Sequence, residues 1–320
     1  MNFKEIQVAE DEGISTVHFC NNILQSTTWA GKIHYYNTDT CESVYEMDFK
    51  SPLLCGAWVR QDLSVAGSTD GTIFFSNNSS LKAHESGISS LSYWDEKGIL
   101  VSSSWDQTVK MWDLNQPDQV VNFNFKEKIM FSGISKEGNI VAYGHRNTVF
   151  IIDPNNPDQI EKRISSIGKQ IRAFEMCQSE PKWAIGSIDG RIAIEYFGDL
   201  KHQAQRFSFS CHRHDDEEEK FILYPVNSLS FHPVTGILTS GDSKGSICFW
   251  DLENKRKLTE LHTPYQNSIS SLCYNNNGTI LAIAYSYMWD KGNVGHPNDT
   301  LLLCAPTAQC VTPLARKHEE

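Results

Sequence analysis

Positive charge is scarce in this chain. Its 320 residues hold 28 lysines and arginines against 39 aspartates and glutamates, a formal net charge of −11. A general DNA or RNA surface needs clustered cations to neutralise phosphate, so no direct nucleic-acid partner is expected, although a local basic pocket stays compatible. No run of 18 apolar residues occurs, which leaves no helix able to span a membrane. The opening MNFKEIQVAEDEG has no apolar core of a secretory signal. A nuclear and cytoplasmic protein without a membrane partner is the expectation. None of the nine cysteines forms a C-x-x-C pair, so they read as reduced, mostly buried thiols. Neither a P-loop nor a dinucleotide fingerprint is present, and no cofactor is expected.

What is present is repetition. In SSSWDQTVKMWDLN, residues 102–115, Trp105-Asp106 is followed by Trp112-Asp113. The first pair reads as a hairpin turn and the second as the end of the strand leaving it. The same six-residue step recurs from Ala30, Asp70, Arg146, Asp189 and Lys244, at intervals of 36 to 55 residues. Such a period suits one four-stranded propeller blade, about 40–45 residues long. Alternating stretches such as GISSLSY (87–93), separated by turns rich in Gly, Asn and Asp, read as short antiparallel strands. No long amphipathic helix is expected. Trp112 and Trp250 fall at the ends of third strands, where an indole can pack between adjacent sheets.

Counting on gives a seventh unit over 268–305, interrupted after Ser286 by YMWDKGNVGHPND. Its outer strand has to come from the N-terminus, within residues 3–8, because closure removes an open sheet edge. The fold class expected is all-β: one domain, 1–320, a seven-bladed WD-repeat β-propeller closed by an N-terminal strand. The string CHRHDDEEEK, 211–220, reads as an extended connector between blades five and six.

Several residues carry chemistry. His84, a serine among Ser102–Ser104, Asp106 and Trp112 form the hydrogen-bonded set familiar from WD repeats, and the sequence shows it complete only in the third unit. Asp106, Ser104 and His84 are also the residue types of a hydrolytic triad, but the structural set accounts for them better and no enzyme is expected. Cys211, His212 and His214 fit no common zinc spacing, so no metal is expected. Trp29 and Trp105 occupy corresponding turns and would crowd one rim of the ring. With Arg191 and Arg213 they supply the residue types that dominate peptide-binding hot spots, and arginine suits carboxylate or phosphate.

The chain resembles the WD-repeat subunit of the spindle checkpoint, the budding-uninhibited-by-benomyl family. The matching strings are EDEGISTVHF (10–19), SSSWDQTVKMWD (102–113), GSIDGRIAIEY (186–196), FSFSCHR (207–213), YPVNSLSF (224–231) and NGTILAIAYSYM (277–288). The resemblance implies a non-enzymatic propeller, monomeric alone, that binds the GLEBS segment of a checkpoint kinase and pseudokinase. It carries them to phosphorylated Met-Glu-Leu-Thr repeats of an outer-kinetochore scaffold in mitosis. By motif match Arg191 pairs with a GLEBS glutamate, Trp29 and Trp105 pack on the segment, and Arg213 contacts the phosphothreonine. A second family cation falls near Gly236, where this chain has none, leaving Lys244 as a substitute. Ala30 departs from the usual Asp after Trp29. The sister family, a messenger-RNA export propeller binding a nucleoporin GLEBS motif, is also similar through FHPVTGIL (231–238) and SYMWDKG (286–292). IEYF (194–197), YPVN (224–227) and the acidic charge weigh against it.

Overall fold

The computed structural model describes residues 3–8, 13–116, 120–198, 200–215, 221–261, 263, 265, 267–290 and 292–315; the side chains of 120, 200, 213–215 and 221 lie outside that description. Seven four-stranded antiparallel sheets succeed one another along it. The helices among the described residues are two single turns, Leu200–Gln203 and Ala308–Val311. The expected all-β, seven-bladed architecture is the one found.

Each blade begins with an inner strand that walls a central channel: Ile14–Cys20, Leu53–Arg60, Ile88–Trp94, Ile129–Ile134, Ile171–Met176, Val226–Phe231 and Ile269–Tyr274. The first residue of every one is Ile, Leu or Val, and none is more than 8% exposed. Directly after it, all seven strands carry a β-bulge against the second strand of their own blade. A bulge adds one residue and sharpens the local twist. Here it turns the strand start so that the aliphatic side chain wedges between sheets while the extra residue is left unpaired.

The wedge needs room in the preceding blade, and glycine supplies it in three places. A Cβ at Gly67 would lie 2.7 Å from Ile88, at Gly186 2.6 Å from Val226, and at Gly241 2.5 Å from Ile269. Large rings fill the wider outer gaps. Trp112 packs with Val59 and Ile73 of blade two, and Trp250 with Ala184 and Ile192 of blade five. Both indoles stand at the ends of third strands, Thr108–Asp113 and Ile247–Asp251.

Closure follows the sequence expectation. Blade seven takes three strands from the C-terminal part, Ile269–Tyr274, Leu281–Tyr285 and Thr300–Cys304, and its outer strand, Phe3–Ile6, from the N-terminus. Ile6 faces Leu301 in the register and is 1% exposed. Beyond the last strand, the Leu314 N–H donates to Asp251 Oδ2 at 2.8 Å, fastening the chain to blade six. The expected connector is more ordered than a plain linker: Arg213–Asp215 pairs antiparallel with Phe221–Leu223, while 216–220 lie outside the described residues.

A methyl group at Gly186 has no space, whereas at Gly168 no atom lies within 4 Å. Gly186→Ala is expected to lose about 1–3 kcal/mol in urea unfolding, the usual cost of overpacking, with Gly168→Ala within about 0.5 kcal/mol of the parent. Equal stability of the two variants contradicts the wedge.

Candidate peptide-binding rim

One face of the ring gathers the starts of the inner strands and the turns between second and third strands. The backbone fixes this face by the same bond in every blade. An N–H at the turn donates to the carbonyl just before the inner strand: Trp29 to Gly13, Thr69 to Pro52, Trp105 to Gly87, His145 to Lys128, Ile188 to Gln170, Ser243 to Pro225 and Ser286 to Ser268, at 2.8–3.2 Å. Trp29 and Trp105 therefore occupy equivalent places, but their side chains differ. Trp29 is 49% exposed. Trp105 is largely buried: its ring lies over Gly87, where a Cβ would be 2.7 Å away, and its buried Nε1–H has no acceptor among the described residues. Trp29 presents a whole indole, and Trp105 an edge.

Beside Trp29 stands the segment that interrupts the seventh unit and carries the SYMWDKG string. Loop 286–299 of blade seven is tied to the start of blade one, where the Gly13 N–H donates to Asp299 Oδ2 (2.7 Å) and the Ile14 N–H to Ser286 Oγ (3.0 Å). Tyr287 stacks on His296 at 4.7 Å and lies 5.7 Å from Trp289. Trp289 is 62% exposed and held at φ +58°. A bulky residue in the left-handed region is uncommon, and this one extends the aromatic surface begun by Trp29. The aromatics in SYMWDKG were the available signal.

The cations gather elsewhere on the same face, at the junction of blades five and six. Gly190, at φ +68°, sits so close to the carbonyls of Cys211 and Tyr224 that a Cβ would lie 2.9–3.0 Å from them. Arg191 follows it and is exposed. The Cys211 N–H donates to the Gly190 carbonyl, which brings the backbone of Arg213 to the same junction; the Arg213 side chain lies outside the described residues. Lys244 joins them, its ammonium 5.7 Å from the Tyr224 ring. Gly236 does not: its turn follows the far end of the inner strand Val226–Phe231, on the opposite face. Lys244, the residue offered in place of a cation at that turn, lies on the rim face instead.

The hydrogen-bonded set is real in blade three and needs two corrections. Trp112 Nε1–H donates to Ser102 Oγ (2.8 Å), Ser102 Oγ lies 2.7 Å from His84 Nε2, and His84 Nδ1 lies 3.0 Å from Asp106 Oδ2. Ser102 is thus the member. Ser104 stands outside, donating to the Ser86 carbonyl and accepting the Asp106 N–H. Burial holds the His84 imidazole below its ordinary value against the pull of Asp106. Burial pushes the Asp106 carboxyl up, but bonds from Thr108 and the Glu85 N–H, with His84, outweigh it and hold the group low. The second correction is that blade six assembles the same four residue types, hydrogen-bonded from Trp250 to Ser240 and from Ser240 to His212, with an ion-pair contact from His212 to Asp242. Trp250 Nε1–H donates to Ser240 Oγ (2.8 Å), Ser240 Oγ lies 2.7 Å from His212 Nε2, and His212 Nδ1 lies 2.9 Å from Asp242 Oδ2. Alignment on the turn set Lys244 opposite Asp106 and hid the acid two positions earlier, in the place of Ser104. His212 is thereby packed into the blade, between Ser240 and Asp242.

The chain does hold a G-x-S-x-G string, Gly241-Asp242-Ser243-Lys244-Gly245, where none was expected. A nucleophile elbow needs a strand-to-helix turn. This one joins two strands, and Ser243 Oγ accepts from Asn227 Nδ2 at 2.9 Å.

The comparisons with known proteins agree with the propeller fold. The WD domain, G-beta repeat model matches residues 75–113 and 218–251. The solved "Structure of U3-55K" superposes with a TM-score of 0.80 over 95% of this chain and 98% of that one, at 14% identity, a likeness of fold alone. "Mitotic checkpoint protein bub3" of Dictyostelium discoideum is 30% identical over 313 residues, 94% of each chain. This chain belongs to the Bub3 family of WD-repeat proteins. "Spindle assembly checkpoint protein bub3" of Schizosaccharomyces pombe is 30% identical over 89% of this chain and 92% of its own. Likeness extends past Bub3: "Poly(A)+ RNA export protein" of the same yeast is 30% identical over 95% and 91%.

Glu175 lines the central channel of this Bub3-family ring, and burial pushes its carboxyl up from 4.5 to about 8. A group raised in the folded state favours folding below its unfolded value and loses that contribution as pH rises through the folded one. Glu175→Gln is therefore expected to gain stability over the parent progressively between pH 4.5 and 8, read as a difference in urea midpoint. A pH-independent difference contradicts the placement.

Proposed function

We propose that this protein is a non-enzymatic scaffold of the mitotic spindle checkpoint, working in the nucleus and cytoplasm and at kinetochores in mitosis. Its rim binds the GLEBS segment of a checkpoint kinase and pseudokinase and carries them to phosphorylated Met-Glu-Leu-Thr repeats of the outer-kinetochore scaffold. The observation that carries this is the separation of chemistries on one face. An exposed indole at Trp29, continued by Trp289, offers apolar anchoring. The junction of blades five and six offers Arg191, Lys244 and the backbone position of Arg213 to acidic groups. Arg191 takes a glutamate of the segment and Arg213 the phosphothreonine, with Lys244 as the nearby second cation. Trp29 provides most of the apolar contact and Trp105 the smaller share that its edge allows. The ring acts as a monomer when alone.

A second reading keeps the surface and changes the partner. The export relative is as similar in identity as the checkpoint ones, and the loop carrying SYMWDKG presents Trp289 beside Trp29. On that reading the protein is a messenger-RNA export adaptor bound to a nucleoporin GLEBS motif. Nuclear-pore signal in interphase with none at kinetochores in mitosis is the result that would favour it.

For the first reading, a phosphothreonine Met-Glu-Leu-Thr peptide is titrated against the protein with the GLEBS segment bound. Phosphorylation is expected to tighten binding, and Arg213→Ala to lose about 1.5–3 kcal/mol of it, as for a charge-assisted hydrogen bond. Equal affinity for phosphorylated and plain peptide contradicts the reading.

A further inference from the structure

Loop 286–299 holds an aromatic cluster out to solvent. Trp289 is 62% exposed and stands at φ +58°, a strained conformation for a bulky residue that persists only where the surroundings impose it. The loop imposes it through its own bonds. The Gly292 N–H donates to the Trp289 carbonyl (3.1 Å), and the Tyr287 hydroxyl to the Gly292 carbonyl (2.9 Å). Asp299 and Ser286 tie the two ends of the loop to Gly13 and Ile14. Three rings are thereby set at fixed angles. Tyr287 and His296 stack at 4.7 Å with planes 17° apart, while Trp289 stands at 46° to Tyr287 and 63° to His296, 5.7 and 6.4 Å away. Together with Trp29 of blade one they line a cleft of about 450 Å³, whose wall also includes Asp299, 8% exposed.

Ring faces at steep angles beside a carboxylate present negative potential from several sides. The ion they suit is a rounded cation that asks for few hydrogen bonds. An unmodified lysine ammonium carries three donors, and the acceptors at this cleft are already engaged, Asp299 Oδ2 with the Gly13 N–H and Ser286 Oγ with the Ile14 N–H. A guanidinium is planar, so it lies on one ring face and asks for a fork of acceptors. Methyl groups on a lysine nitrogen remove donors, keep the charge and bring carbon into contact with the rings. We propose that the cleft between Trp29 and loop 286–299 is an aromatic box for a methylated lysine of a partner peptide. Asp299 adds its field to that of the rings. A choline headgroup offers a similar ammonium but carries a phosphate, which Asp299 and the exposed Asp290, next after Trp289, repel. Trp29 is shared with the reading of this face as a peptide-binding rim; the loop and its cation chemistry go beyond that reading.

The test titrates N-acetyl-Nε-trimethyllysine amide into the full chain and follows the indole N–H groups of Trp29 and Trp289 by NMR, with thermal unfolding as a check on folding. Saturable shifts of both are expected. Unmodified N-acetyl-lysine amide and N-acetyl-arginine amide are expected to bind about tenfold more weakly, and so is the neutral isostere with carbon in place of the ammonium nitrogen. Trp289→Ala should remove the response of Trp29. Asp299→Asn, which keeps an acceptor for Gly13, should weaken binding about threefold. Absence of saturable shifts in the parent, equal affinity for the neutral isostere or for unmodified lysine, or a Trp29 response unchanged in Trp289→Ala overturns the box. Phosphocholine binding more tightly than the methylated lysine also overturns it, assigning the cleft to a lipid headgroup. The probes carry no GLEBS sequence, so a parent that binds no GLEBS segment overturns the rim reading alone, and a probe that fails overturns the box alone.

Discussion

Pairing of Phe3–Ile6 with Thr300–Cys304 joins the two ends of the described chain in one sheet, and the rim depends on that ladder. Seven wedge-shaped sheets can present their turns in a single annulus only if the last blade meets the first. An unfinished seventh blade would also leave the edge of Thr300–Cys304 unpaired, an invitation to aggregation. The closing strand contributes a buried Ile6 as well as backbone bonds, so closure is hydrophobic as much as hydrogen-bonded. Further ties cross the same seam: Asp299 and Ser286 of blade seven accept N–H groups of Gly13 and Ile14 in blade one. The loop that carries Trp289 is thus fixed to the strand start beside Trp29, and the aromatic surface exists because the ring is closed there.

Much of this fold is legible in the sequence because its periodicity is set by turns. Each blade needs a turn residue and an end-of-strand residue six apart, and the count of seven with a borrowed outer strand follows from that spacing. What escaped was whatever depends on exchange between equivalent positions. Asp242 stands by His212 as Asp106 stands by His84, but from the place of Ser104, so a fixed alignment missed the second set of residues around His212. The bulges also escaped, since an extra residue at a strand start leaves alternation nearly unchanged over six or seven positions.

Of the site residues, Trp29 is exposed at its turn, on the rim where its position in the repeat was expected to put it. Trp105, at the equivalent turn, was not distinguishable from it by spacing; the difference lies in Gly87, over which its ring can lie flat. Gly236 and Lys244 are eight residues apart in sequence and fall on opposite faces, because one turn lies at each end of the strand Leu238–Asp242.

The account's central claim is that one annular face holds the partner segment. Hydrogen exchange on the protein with and without a bound GLEBS segment tests it most directly. Slowed exchange at the turns around Trp29, 188–190 and 286–299, with the opposite-face turns at 233–237 and 275–280 unchanged, is the predicted pattern. Protection confined to that opposite face, or to the outer strands, would contradict it.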